Sequence, residues 1–150
     1  AYDGVKKLID NAVKDGAKVT VGGNIPQGLR KPFIEPTVIE NVTNDMEIAQ
    51  EEIFGPVATL IKFTDEKEVV KQANDTPYGL AAYFYTKDYK RMFRVGEALE
   101  FGMVGVNAGH VSSMTAPNGG YKESGIGRES GSYGIEEYLE PKYLCFGEVN

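Results

Sequence analysis

The chain has 150 residues, of which 41% are hydrophobic and 25% charged, the size and composition of one globular domain. Its net charge is −6 with no cluster of Lys and Arg, so nucleic acid is not an expected partner. One cysteine and one histidine exclude an internal disulfide framework and a site built from several Cys or His ligands, so no metal is expected. The longest apolar stretch, residues 79–85, is too short to span a bilayer, and no leader pattern is seen, which predicts a reduced, cytoplasmic chain.

The first half of the chain predicts helices and strands in alternation. Apolar residues recur at helical spacing from Val5 to Val13, and Gly16 is a stop signal. The further elements predicted here are strands over 18–21, 33–42 and 57–63, a short helical turn capped by Asn44 and running to Gln50, and a helix over 66–74 capped by Asp65. Pro36 assigns the second strand to an edge or a bulge.

The second half begins in the same way and then changes character. The predicted elements are a strand over 80–85, a helix capped by Asp88 and ending at Leu99, a strand over 103–106, an irregular loop over 108–132, and a final strand over 136–146. Loops of that length in compact domains are usually functional or disordered. The alternation as a whole predicts an α/β fold with a mostly parallel sheet flanked by helices.

The most informative segment is Gln50–Val57, in which two adjacent carboxylates lead into an aromatic residue, a Gly-Pro turn and a strand. One interpretation is a capped turn with solvated acids. The other is that a carboxylate faces a cleft and accepts hydrogen bonds from a diol such as that of a ribose, because a charged acceptor makes stronger bonds than a neutral one. Phe54 would then supply a flat apolar wall.

Three other features carry little functional signal. The run Gly125–Ser130 is one glycine short of the dinucleotide-binding pattern and does not follow a strand. Cys145 lies in the alternating tail, where a small buried hydrophobe is a better interpretation than a nucleophile. His110 lies in the polar loop, where a solvated or structural histidine is favoured over a binding or proton-transfer role.

Several motifs, in their order along the chain, carry a resemblance to a known family. They are Phe33-Ile-Glu-Pro-Thr-Val38, Glu51-Glu-Ile-Phe-Gly-Pro56, Asn74-Asp-Thr-Pro-Tyr-Gly-Leu80, Gly102-Met-Val-Gly-Val-Asn107 and Gly119-Gly-Tyr-Lys-Glu-Ser-Gly-Ile-Gly-Arg-Glu129. The motif that begins at Glu51 resembles the E-E-x-F-G-P signature of the aldehyde dehydrogenase superfamily, and the match runs over essentially the whole chain. The ending, Tyr133–Glu140 followed by Lys142–Cys145, further resembles the succinate-semialdehyde branch of that family.

The resemblance implies site residues and a cofactor, NAD or NADP. Glu52 matches the acid that binds the nicotinamide ribose hydroxyls, and Phe54 matches the aromatic residue beside that ribose. Asn107 matches the asparagine beside the substrate tunnel, and Ser112 the serine that helps to hold the distal carboxylate of succinate semialdehyde. Residues 119–128 match the segment that closes the tunnel mouth.

The resemblance also implies the organisation of the chain. Residues 1–136 match the C-terminal part of the catalytic domain, and 137–150 match a tail whose strand joins subunits into a dimer or tetramer. The family's thiol nucleophile and its Rossmann-type cofactor domain lie upstream of E-E-x-F-G-P, so we expect this chain to be a C-terminal portion that is inactive alone. Cys145 cannot take the nucleophile's role, because it lies downstream of every tunnel residue.

Two other functions remain open, and two residues differ from the family's usual pattern. The chain could be a free-standing, non-catalytic binding or assembly module, or part of an aldehyde dehydrogenase that acts on a different aldehyde. Asn118 stands where the family usually has Phe, which removes an aromatic wall from the implied substrate site. Pro141 stands in the final strand where an aliphatic residue is usual, and it donates no ladder hydrogen bond.

Overall fold

A computed structural model describes residues 2–148 of the chain. The described residues divide into two compact units, residues 2–75 and residues 76–148. The first unit contains α1 (Tyr2–Lys14), β1 (Lys18–Val21), β2 (Thr37–Glu40), α2 (Glu47–Gln50), β3 (Val57–Thr59) and α3 (Glu66–Asn74). The second unit contains β4 (Tyr78–Gly79), β5 (Ala81–Phe84), α4 (Tyr89–Ala98), β6 (Met103–Val106), β7 (Tyr121–Lys122) and a 3₁₀ helix (Tyr133–Tyr138).

In the first unit, α1 packs against a three-stranded sheet with the order β1-β2-β3. The predicted apolar face of α1 is confirmed, because Val5, Ile9 and Ala12 are buried. The helix ends before Gly16, which has a φ of 103°, a backbone conformation that glycine adopts at little cost. The core also contains Ile39 of β2 and other apolar side chains: Ala17, Val42, Met46 and Ile48.

Two predictions in the first unit need correction. The strand predicted over 33–42 is shortened to β2, which begins directly after Pro36, a residue with no N–H to give to a ladder. β2 is not an edge strand, because it lies between β1 and β3, and its pairing with β1 has a bulge between Val19 and Val21. Asn44 does not cap α2, whose N-cap is Met46 without a side-chain bond. Instead, the Asn44 amide donates to the carbonyl of Gln72 in the last turn of α3 at 2.8 Å, a carbonyl that also accepts the N–H of the C-cap residue Asp75 at 3.3 Å.

The second unit contains two pairs of strands. β5 and β6 pair in parallel and β4 and β7 antiparallel, while α4 starts at the predicted cap, where the Asp88 carboxylate accepts from the Arg91 N–H. In the first unit β1 and β2 pair antiparallel and β2 and β3 in parallel. The α/β class is confirmed, and its sheets are mixed, because β1 and β7 add antiparallel partners that local sequence patterns do not reveal.

The strand predicted over 136–146 is wrong for the described part of the tail. A 3₁₀ helix occupies Tyr133–Tyr138, and residues 139–148 are irregular and exposed. A strand requires a neighbouring strand for its hydrogen bonds, and none of the described strands pairs with this segment. Residues 149 and 150 of the predicted tail lie outside the described residues. No helix in the range 2–148 is both long and apolar enough to cross a membrane.

Candidate functional site

A groove in the first unit forms where the segment after α2 passes the first turns of α1. The backbone turns away from the helix at Glu51, which has extended φ and ψ angles of −97° and 142°. The groove has a volume of about 290 Å³ and is lined by Gly4, Val5, Lys7, Leu8, Glu47, Glu51, Glu52 and Phe54. The structure therefore brings the two predicted carboxylates and the predicted aromatic residue to one surface.

Glu52 and Phe54 are both available to a ligand in this groove. The Phe54 residue is 73% exposed. Among the described residues, the carboxylates of Glu51 and Glu52 have no hydrogen-bond or ion-pair partner. An ionised carboxylate has two acceptor oxygens and can take both hydroxyl hydrogens of a vicinal diol. The groove thus fits a small diol that lies beside a flat apolar wall.

The turn after Phe54 approaches α1 so closely that it requires glycine at position 55. A Cβ on Gly55 would lie 2.9 Å from Cγ2 of Val5, well inside normal van der Waals contact. The turn is closed by a hydrogen bond from the Gly55 N–H to the carbonyl of Ile53 at 2.8 Å. Packing of this turn on α1 positions Phe54 at the edge of the groove.

A charged network lies beside Glu52 in the same groove. The Lys7 ammonium donates to Oε1 of Glu47 at 3.2 Å, and the Asn11 amide donates to Oε2 at 2.7 Å. Hydrogen bonds from Asn11 and then from Lys7 lower the pKa of the Glu47 carboxyl from its ordinary value. This network has no signal in the sequence, since Lys7 and Glu47 are 40 residues apart and no local pattern connects them.

The second unit contains a larger cavity, about 870 Å³ in volume, built mainly from the glycine-rich segment 118–131. Asn118 lines this cavity, and its backbone forms a two-bond bridge with Glu129, each bond 2.7 Å long. The lining also includes Met114 and, from the start of the tail, Ile135, Glu137 and Tyr138. The segment that was expected to close a tunnel mouth therefore forms the wall of a cavity.

Arg128 organises this wall. Its Nη1 donates to the carbonyls of Gly120 at 2.9 Å and Gly127 at 2.7 Å, and its guanidinium lies 5.5 Å from the ring centroid of Tyr121, within cation–π range. The carboxylate of Glu137 accepts the Arg128 backbone N–H at 3.3 Å. The sequence indicated this arginine only as part of a motif, since its carbonyl partners have no signature of their own.

Asn107 and Ser112 are placed differently from Asn118, since neither lines this cavity. Asn107 follows β6 with a φ of 54°. Its side chain accepts the Thr86 N–H and donates to the Thr86 carbonyl, both at 2.8 Å, so it joins the ends of β5 and β6. Ser112 is exposed, and its hydroxyl has no hydrogen-bond partner among the described residues.

The remaining candidates, Cys145 and His110, line neither the groove nor the larger cavity. Cys145 is exposed, which corrects the expectation of a buried residue; the alternating pattern of the tail does not bury it because the strand is not formed. His110 is also exposed. Within residues 2–148 no three His, Cys, Asp or Glu side chains are grouped as a metal site would require.

Comparison with known proteins identifies the family. The sequence model of the aldehyde dehydrogenase family matches residues 1–144. This chain belongs to the aldehyde dehydrogenase family. The family assignment made from the E-E-x-F-G-P segment is thereby confirmed, and the groove at Glu52 is the part of this family member that contains the signature.

Several relatives match nearly the whole length of this aldehyde dehydrogenase chain at similar identity. A probable succinate-semialdehyde dehydrogenase [NADP(+)] of Sinorhizobium fredii is 53% identical over 97% of the chain. A glutarate-semialdehyde dehydrogenase of Pseudomonas putida is 53% identical over 94% of it. The crystal structure of succinate-semialdehyde dehydrogenase from Burkholderia pseudomallei superposes with a TM-score of 0.90 at 49% identity over 97% of the chain. The chain spans only 30%, 29% and 30% of these proteins, respectively.

Proposed function

We propose that this chain is the C-terminal part of an NAD(P)-dependent aldehyde dehydrogenase that oxidises succinate semialdehyde to the acid. The observation that carries the proposal is that the Glu52 carboxylate, which has no partner among the described residues, lies in one groove with the exposed ring of Phe54, within the family's signature segment. The Sinorhizobium fredii relative, whose name includes NADP(+), supports the choice of cofactor. We assign no catalytic role to Cys145, so the nucleophile is expected from outside this chain.

The residues of this chain act on the cofactor by positioning it. The nicotinamide, when bound, supplies a hydride acceptor. Glu52 accepts hydrogen bonds from the ribose hydroxyls, which fixes the ring against rotation, and Phe54 covers one side of the sugar and excludes water from it. The rate of hydride transfer depends on this placement, since a small displacement of a reacting group has a large effect on rate.

The first test replaces Glu52 by Gln in the full-length protein. A neutral amide weakens the charge-assisted bonds to the ribose, so we expect hydride transfer to slow roughly tenfold. Single-turnover formation of NAD(P)H measures this rate, and Glu51→Gln, which changes the adjacent acid in the same groove, is the matched control. Equal rates for Glu52→Gln and the unchanged protein would contradict the assignment of Glu52.

The substrate proposal depends on the second unit. We propose that Ser112, Asn107 and Asn118 contribute to substrate binding, with the Ser112 hydroxyl donating to the distal carboxylate of succinate semialdehyde. Its exposed hydroxyl is consistent with such a role. Glutarate semialdehyde is the second candidate, because a relative of equal identity bears that name and its substrate also has a distal carboxylate.

The second test replaces Ser112 by Ala in the full-length protein. Loss of one hydrogen bond to a charged group should lower kcat/KM for succinate semialdehyde by about tenfold and change that for butanal little, because butanal has no carboxylate. Ser113→Ala is the matched control, since the Ser113 hydroxyl bonds to Thr115 at 2.9 Å. Equal losses on both aldehydes would indicate a packing role for Ser112.

The alternative of a free-standing binding or assembly module is separated from this proposal by the intact mass of the gene product. A product several times longer than 150 residues, active on succinate semialdehyde, supports the enzyme. A product with the mass of this chain and no turnover supports the module.

A further inference from the structure

We infer that Glu47, together with Asn11, is a positioning residue for the cofactor: it holds the Lys7 ammonium so that Glu52 stays free to accept the ribose hydroxyls. The inference rests on the proposed function, because it concerns the availability of Glu52. It assigns a role to the ion pair between Lys7 of α1 and Glu47 of α2, two residues that lie outside the E-E-x-F-G-P segment.

The geometry of the pair supports this role. Both oxygens of the Glu47 carboxylate are engaged, one with Lys7 at 3.2 Å and the other with Asn11 at 2.7 Å. Lys7 and Asn11 are four residues apart on α1 and therefore lie on one face of the helix. The Asn11 bond orients the carboxylate, and the orientation presents its second oxygen to the ammonium.

Lys7 would otherwise compete for the binding carboxylates. Lys7, Glu51 and Glu52 all line the same groove of about 290 Å³, and the lysine side chain is 67% exposed on a flexible four-carbon stem. If the Lys7 ammonium were released from Glu47, it would be attracted to the Glu52 carboxylate, which has no partner among residues 2–148 and lines the same groove. An ammonium bound there occupies the oxygens that a diol would use, so cofactor affinity falls.

Glu47 remains charged under the conditions in which the enzyme would work. The hydrogen bonds from Asn11 and Lys7 lower the pKa of its carboxyl, so the carboxylate is ionised at neutral pH and its attraction for the ammonium is fully present. The pair therefore persists across the neutral range and acts as a constant structural feature.

The experiment compares three variants of the full-length protein. Glu47→Gln should raise the KM for NAD(P) about threefold, the effect of a typical exposed ion pair, and leave kcat at saturating cofactor unchanged. The double variant Glu47→Gln/Lys7→Gln should restore the KM, because it removes the competing ammonium. Asp10→Asn is the matched control: it releases Lys6 from its ion pair of 2.9 Å on α1, away from the groove, and should leave the KM unchanged.

The outcomes separate this inference from the proposed function. A double variant as impaired as Glu47→Gln would overturn the inference, because the pair would then act only by holding α1 to α2. A normal KM in Glu47→Gln, alongside impaired hydride transfer in Glu52→Gln, would also overturn it and leave the proposed function standing. If Glu52→Gln is itself unimpaired, the proposed function fails, and the inference fails with it.

Discussion

Asn107 illustrates how one side chain supports a strand end. Its φ of 54° is in the left-handed region, which asparagine tolerates better than most residues, and its amide bonds to both backbone groups of Thr86. The residue type therefore satisfies two separate requirements, a backbone conformation and a two-bond contact between the ends of β5 and β6.

Replacing Asn107 by Ala should destabilise this pair of strands by about 2 kcal/mol, because both bonds are lost and Ala is poorly suited to a positive φ. Asn107→Gly, the matched variant, keeps the backbone conformation accessible and should cost about 1 kcal/mol. Hydrogen exchange of the β5 and β6 amides in the full-length protein measures both. Unchanged exchange in both variants would show that the Thr86 contact adds no stability.

At the scale of elements, the backbone just before β6 lies very close to the backbone of the glycine-rich segment 118–131 that forms the larger cavity. A Cβ on Gly102 would overlap the carbonyl oxygen of Gly119, and the Gly102 N–H donates to the carbonyl of Gly79 at 2.9 Å. The wall of the larger cavity is therefore placed by backbone atoms, and its position depends on the absence of a side chain at residue 102.

Gly102→Ala should destabilise the second unit by roughly 1–3 kcal/mol, the usual cost of overpacking, because one of the two backbones must move. Gly96→Ala is the matched control: it lies within α4, has no neighbour within 4 Å of an added Cβ, and should stabilise the helix by about 0.5–1 kcal/mol. Thermal unfolding followed by far-UV circular dichroism tests both. Similar melting temperatures for the two variants would contradict the close approach.

At the scale of the whole molecule, the tail presents apolar side chains that the described residues do not cover. Tyr138, Tyr143 and Phe146 are each at least 86% exposed, and Leu144 is 64% exposed. Exposed apolar surface of this kind commonly marks a protein–protein contact. We therefore propose, with the division at residue 137 that the family resemblance implies, that the tail joins subunits into a dimer or tetramer.

Leu144→Asp in the full-length protein should dissociate the oligomer or make it insoluble, because a charge would be placed where desolvation is costly. Size-exclusion chromatography with light scattering measures the number of subunits. Leu29→Asp, at a residue of the first unit that is 52% exposed, is the control and should leave the assembly unchanged. An unaltered oligomer in Leu144→Asp would show that the tail does not mediate assembly.

Sequence alone predicted the elements whose signals are local. The Asp65 and Asp88 caps placed the starts of α3 and α4 correctly, since a cap acts within three residues of itself. The strand over 103–106 was likewise predicted with its observed bounds. Glu52 and Phe54 could be proposed together because they belong to one short segment, and the family followed from the same residues.

Tertiary structure decided the features that depend on distant residues. The pairing of β4 with β7 joins segments more than 40 residues apart, and the tail lost its predicted strand because alternation describes a strand's faces without supplying a neighbour for its hydrogen bonds. The Asn44 side chain bonds to α3 and does not cap α2, and Lys7 meets Glu47 only because α1 packs on α2. Such contacts are set by how elements pack, which no local pattern encodes.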